Sequence, residues 1–338
     1  MAAIRKTSES TYIFLNIQDN TLDNIDESCL ADSQFKVRAA NHGLGAFDRL
    51  PLEMIHMVLI RLDIQSLNEF RRVNKSARLI TDAIPQYKRI LAHVPASIRG
   101  SLNINTARFF SCLDLYEKLS TAECDTCGDF GGYLYLVTCR RVCFLCFTEK
   151  TEYLPVLRKD AIRKFGLGPE HLASIPYMKS FPGRYSPRGI KCRRREALYD
   201  YAAARQTGIA VHGSINAMEE HASEMARKQL EVYNTKLSLR RPTRTNLRLP
   251  RLEDPFDGRC SNPKRFMGII RAPFFSAQTI APDWGLHCFA CKPSHYGRPL
   301  HWRRKFTVDS FRDHIRECGE ITEGKHIPLG SQDNPTKV

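Results

Sequence analysis

The sequence predicts a mainly helical chain in which small β elements are held by two cysteine-rich clusters. Three observations lead there. Apolar residues recur at steps of three and four from Leu52 onward, the period of a helix with one buried face. Cysteines gather in CxxC pairs rather than scattering along the chain. The stretch 193–237 is rich in Ala, Glu, Arg, Lys and Met, residues that favour helix. With 338 residues and 42% hydrophobic content, the chain has material for two or three packed domains.

Residues 1–45 are polar, mildly acidic around Asp19 to Asp32 and without sustained periodicity, so they read as a disordered arm. Ordered structure is expected from residue 46. Pro51 suits the first turn of a helix running to Leu62, with Asp48 just upstream as a cap. Leu52, Ile55, Leu59 and Leu62 supply its buried stripe. Met54, Met57, Val58 and Ile60 are apolar as well, which leaves only Glu53, His56 and Arg61 as polar interruptions. Such a helix needs cover on two sides. Leaving its surplus side chains in water forgoes about 1.5–3 kcal/mol for each, on the scale of full burial. A second helix is expected from about Ser66, with Leu67, Phe70 and Val73, and a third from Lys75 to Ala83, ending before Pro85. Periodicity alone fits a plain three-helix core equally well. The surplus apolar surface points instead to a partner protein.

The order and spacing of Leu50-Pro51, Glu53, Ile55, Leu59, Leu62-Asp63, Leu67, Phe70, Val73 and Arg78 resemble an F-box over residues 46–91. Ala77 stands where many F-boxes carry tryptophan. The resemblance implies docking on a Skp-type adaptor of a cullin-RING ubiquitin ligase, with Leu50, Pro51, Ile55, Leu59 and Leu62 as the expected adaptor-binding residues.

Tyr87, Ile90, Leu91 and Val94 fit one more short helix packed on that segment, and in the connector over residues 92–119, Phe109, Phe110, Leu113, Tyr116 and Leu119 place a helix over 106–119. It leads into Cys124, Cys127, Cys143 and Cys146, two CxxC pairs separated by fifteen residues, within an expected module at 120–150. That is the spacing of a tetrahedral zinc site with four thiolate donors, which closes the coordination sphere and marks the ion as structural. Gly131-Gly132 and the β-prone Tyr133 to Val137 suggest a hairpin between the pairs. Cys139 is an alternative donor in place of Cys143, and buried free cysteines are the metal-free reading.

Residues 151–284 read as a helical region. Within it Pro176 to Gly189 forms a loop, 193–237 form two long helices broken near Gly213, and a basic linker carries Arg240, Arg241, Arg244, Arg248 and Arg251. A second module is expected over 285–320. Cys288 and Cys291 form a CxxC pair, and after 22 intervening residues His314 and Cys318 lie at i and i+4 on one helix face, with Phe311 and Ile315 beside them. This is a Cys-Cys-His-Cys donor set for a second structural zinc ion. His287, His295 and His301 are rival donors. Residues 321–338 read as a tail.

A formal charge of +15 and a pI near 9.4 favour acidic partners without choosing among them. Trp302 beside Arg303, Arg304 and Lys305 sets an aromatic next to a basic run, so a zinc-containing nucleic-acid-binding protein is the alternative function. The chain has no P-loop, GxGxxG, HExxH or GxSxG, so an enzyme is not expected. No apolar run approaches the ~20 residues that span a bilayer. Paired cysteines fit a reducing compartment, and the expectation is an intracellular protein of cytoplasm and/or nucleus. Together with the F-box, the segments ECDTCGDFGGYLYLVTCRRVCFLCF, FPGRYS, DWGLHCFAC and FRDHIRECGEI are similar to a group of F-box proteins from filamentous fungi. That resemblance implies a non-catalytic substrate receptor of an SCF-type ligase. It leaves the protein substrate unknown.

Overall fold

The computed structural model describes residues 9–13, 17–24, 43–238, 259–277, 279, 281–293 and 300–327. The Arg240–Arg251 run and His295 lie outside the described residues. The first element is a two-residue strand, β1 (Thr11–Tyr12). Helices then follow in close succession: α1 (Leu52–Leu59), α2 (Ile64–Arg71), α3 (Lys75–Ala83), α4 (Pro85–His93), α5 (Pro95–Asn103) and α6 (Cys112–Leu119).

Their ends follow from local chemistry. Asp63 caps α2 by accepting the Ser66 N–H at 2.9 Å, which starts that helix two residues ahead of the expected Ser66. Asn74 caps α3 by accepting the Ala77 N–H at 2.8 Å. Both α4 and α5 open with proline in the first turn, where a missing N–H costs nothing. Asp48 caps no part of α1. It accepts the Leu44 N–H at 3.0 Å and closes the short turn Gly45–Arg49. The connector helix α6 is shorter than expected because Ser111 and Asp114 form a capping box at its start. Before it the chain passes through turns held on the earlier helices, Ile64 N–H donating to Phe110 O at 3.2 Å and Gln65 N–H to Ala107 O at 3.2 Å.

After α6 come the hairpin β2 (Tyr133–Tyr135) and β3 (Arg140–Val142), then α7 (Phe144–Glu149). Further on lie β4 (Val156–Leu157), α8 (Arg158–Phe165), the single turn α9 (Pro169–Leu172), β5 (Tyr177–Lys179), β6 (Gly183–Tyr185), β7 (Ile190–Cys192) and β8 (Ala197–Tyr199). Two helices, α10 (Tyr201–His212) and α11 (Ile215–Ser238), meet at Gly213, whose φ of 82° supplies the left-handed turn that ends the first. The described chain closes with β9 (Ile269–Arg271), β10 (His287–Cys288), α12 (Val308–Cys318), β11 (Ile321–Thr322) and β12 (Lys325–His326).

All pairings between these strands are antiparallel. β9 joins the far edge of β2 in a three-stranded sheet, Leu134 opposite Ile270, and β8 runs between β4 and β5 in another. The region 151–284 is therefore mixed rather than helical. Strands of two or three residues are too short for alternation to show in a sequence.

One continuous core runs from Ile55, Leu59 and Leu67 through Ile90, Leu115 and Leu119 to Leu134, Phe147, Phe266 and Ile270. The helices before residue 96 thus share their core with the first cysteine cluster. Leu113 N–H donates to Ile60 O at 3.0 Å and stitches the connector to the end of α1.

The expected disordered arm is corrected over residues 9–13 and 17–24. β1 pairs with β10, Tyr12 opposite His287, and Leu22 enters the main core. Asp19 is buried against Arg303, with contacts of 3.0 and 2.6 Å, and accepts the Tyr133 hydroxyl at 2.7 Å. Asp23 pairs with Arg271 at 2.8 Å. These aspartates look solvated in the sequence because their cationic partners lie far along the chain.

Candidate metal centres and an exposed apolar helix face

Cys124, Cys127, Cys143 and Cys146 converge, their sulfurs all within 4.8 Å of one another. Two turns bring them there. In the first, Cys124 N–H donates to Asp129 O at 2.6 Å and Gly128 N–H to Cys124 O at 3.0 Å, with Gly128 at φ 79° where only a residue without Cβ sits at ease. In the second, Cys143 is the N-cap of α7 and its sulfur accepts the Cys146 N–H at 3.4 Å. The β2–β3 hairpin carries one turn to the other, as its glycines and β-prone residues suggest. Cys139 sits at φ 50° between the two strands, buried and outside the group of four.

The chemistry of this cluster fits a cation. Hydrogen bonds from Cys143 and Cys146 hold the Cys124 thiol well below its usual range, while Cys143 is pushed up because its proton serves Cys124. Burial pushes Cys127 up. Four thiols this close together form a donor set from which a divalent ion would displace the protons. The Cys127–Cys143 sulfur separation is 3.6 Å, far beyond a disulfide. The edge of a tetrahedron with zinc–sulfur bonds is about 3.8 Å.

The second group is Cys288, Cys291, His314 and His326, again within 4.8 Å and all buried. His326 Nε2 lies 3.3 Å from Cys288 Sγ and 3.5 Å from Cys291 Sγ, and His314 Nε2 lies 3.4 Å from Cys291 Sγ. A sulfur–nitrogen edge around tetrahedral zinc is about 3.5 Å. Each imidazole is oriented from behind. His326 Nδ1–H donates to Gly319 O at 2.8 Å, which leaves Nε2 bare toward the sulfurs. His314 stacks on Phe306, ring centroids 4.4 Å apart. Cys288 is pulled down to about 2 by its hydrogen bond from Cys291, and the Cys288 sulfur raises His326.

This geometry corrects the fourth donor expected of the second module. Cys318 does share a helix face with His314, yet its sulfur lies 3.5 Å from Nδ1, on the far side of the ring from the cluster. The chain turns at Gly319 and returns through β11 and β12, delivering His326 from what reads as a tail. The Glu323-Gly324 turn between those short strands was the available signal. Of the rival histidines, His287 is buried with Nδ1 against Arg304 O at 3.1 Å, and burial lowers it to about 3. His301 begins the turn His301–Arg303, outside the group of four.

The basic run after Trp302 faces inward. Arg303 is buried against Asp19, and Arg304 reaches Asp129 at 2.8 Å. Lys305 donates to Trp284 O at 2.7 Å. A nucleic-acid surface at this run loses its carrier. Lys191 and Arg193 to Arg195 are exposed on and after β7, as solvated charge.

The first helices present a different surface. Ile55 and Leu59 are buried, at 5% and 4% exposure, and Leu62 is half-buried against the core. Leu50 and Pro51 are exposed, and with them Leu52, Met54, Met57 and Val58. Val73 is 70% and Leu79 61% exposed. The expected contact set thus divides: Leu50 and Pro51 are available to a partner, while Ile55 and Leu59 hold the helices together. Ile55 and Leu59 mark the inner face together with Ile60, which the sequence suggests as surplus, whereas Leu52, expected in the buried stripe, opens the helix and is exposed. Ala77 is fully buried.

The F-box domain family model matches residues 47–96, the stretch that carries this exposed apolar face. No curated protein and no solved structure gave a match to the chain.

Proposed function

We propose that this chain is the target-binding subunit of an SCF-type ubiquitin ligase. Its F-box docks on a Skp-type adaptor, and zinc is the structural ion in both clusters. One observation carries the reading: the segment that matches the F-box leaves Leu50, Pro51, Leu52, Met54, Met57, Val58, Val73 and Leu79 uncovered. Apolar surface of that extent on short helices is the signature of an interface. The remainder of the chain faces the protein target, and ubiquitin transfer is performed by an enzyme recruited through the cullin. Each metal cluster offers four protein donors, a closed sphere that supports a fold rather than a reaction. No helix among the described residues is long and apolar enough to cross a membrane.

The test is adaptor pull-down with the full chain. Replacing Leu50 and Pro51 together by Ala should lower adaptor capture at least tenfold while the thermal midpoint stays within about 2 °C, since exposed side chains contribute little to folding. Ile55→Ala should do the reverse, costing about 2–5 kcal/mol of stability through a core cavity. Undiminished capture by the Leu50/Pro51 variant rejects the docking face.

A further inference from the structure

The four residues Arg303 to Phe306 touch both metal centres. Arg304 reaches Asp129 at 2.8 Å, and the Asp129 carbonyl accepts the Cys124 N–H at 2.6 Å inside the first CxxC turn. The Arg304 carbonyl meets His287 Nδ1 at 3.1 Å, one residue before Cys288. The Arg303 guanidinium lies 3.6 Å above the ring of Phe144, which sits between Cys143 and Cys146, and its Nη2 donates to Tyr133 Oη at 3.0 Å. Lys305 lies so close to Gly132 in the first hairpin that a Cβ there would fall 2.9 Å from its Cδ. Phe306 stacks on His314 and exchanges backbone hydrogen bonds with Leu286 at 2.7 and 2.8 Å. Nothing in the ligand sets explains why a basic run should be spent in this way.

We infer that Arg303 to Phe306 position the two centres as one unit, so that an ion at either centre raises the affinity of the other. This rests on the metal reading above. The physical route is short. An ion at the second centre fixes His314, and with it Phe306 and the strand carrying Cys288. That holds the Arg304 backbone in register, and the Arg304 guanidinium fixes Asp129 and the turn presenting Cys124 and Cys127. Linkage makes the effect reciprocal, and coupling between sites is ordinarily about 5- to 150-fold in affinity. Arg304 is a positioning residue. It coordinates nothing itself.

The experiment is chelator-driven zinc release from the full chain, purified with its adaptor. The wild type should release two ions in a single kinetic phase. Arg304→Met, which leaves every donor in place, should split release into two distinct phases and lower the zinc affinity of the centres by at least about fivefold, the low end of ordinary coupling. Arg312→Met, which removes an exposed arginine paired with Asp309 on its own helix, should keep the single phase.

Cysteine alkylation gives a second readout. In His326→Ala, Cys124 and Cys143 should alkylate faster than in the wild type, while Cys112, buried and outside both ligand sets, stays protected. Two independent phases in the wild type, an Arg304→Met trace equal to wild type, or Cys112 reacting together with the first-centre cysteines each overturn the coupling. In those cases two bound ions per chain leave the metal reading standing. A wild-type chain that holds no zinc overturns both.

Discussion

The first candidate metal centre draws all four donors from the stretch 124–146. The second takes Cys288 and Cys291 from one turn, His314 from α12 and His326 from a hairpin beyond it, under a strand contributed by Thr11 and Tyr12. The first is a local object embedded in the main core, where Cys124, Cys143 and Cys146 pack with the helices that follow residue 50. The second has a small core of its own, built on Cys288, Cys291, Phe306 and Phe311. A metal within a large shared core supports everything packed on it. A metal in a satellite core gathers distant chain segments, including both flanks of the described structure.

That contrast can be broken by single substitutions. The largest effect is expected at the first centre. Cys143→Ser should abolish the cooperative thermal transition, because structural zinc contributes on the order of 10 kcal/mol in small modules and its loss here opens the shared core. His326→Ala should preserve a cooperative transition and lower its midpoint by roughly 3–4 °C, on the order of a 2–3 kcal/mol loss for a chain of this size. Scanning calorimetry of the two variants distinguishes them, and equal damage from both would show that the second core is no satellite.

A smaller effect separates the two residues that flank His314. Cys318→Ala should keep two ions per chain and weaken zinc at the second centre by about 10- to 100-fold, the usual consequence of removing a group that orients a ligand from behind. His326→Ala should lose that ion outright. Competition with a chromogenic chelator reads both. Loss of the ion from Cys318→Ala, with retention in His326→Ala, would restore the donor set expected from the sequence.

How much of this was legible depended on chain distance. The four-cysteine centre, its hairpin and the helix break at Gly213 are set by neighbours within a few residues, and spacing alone exposes them. Helix α2 starts two residues before Ser66 because Asp63 caps it through its side chain, and a cap needs no apolar residue to mark it in the sequence. Asp19 and Asp23 look solvent-facing in the sequence, since Arg303 and Arg271 are hundreds of residues away. Likewise the Arg303–Lys305 run looks like a nucleic-acid contact in sequence, and only tertiary packing turns it inward. The exposed face of α1 was half legible. Surplus apolar residues announced a partner, but the regular stripe of Ile55 and Leu59 drew attention to the inner side.

Native mass spectrometry of the full chain co-expressed with a Skp-type adaptor tests the central claim most directly. The account predicts a one-to-one complex whose mass includes two zinc ions, and the complex should disappear for the Leu50/Pro51 variant while the two ions remain on the chain. A wild-type chain that stays free of adaptor, or that carries less than one ion, contradicts it.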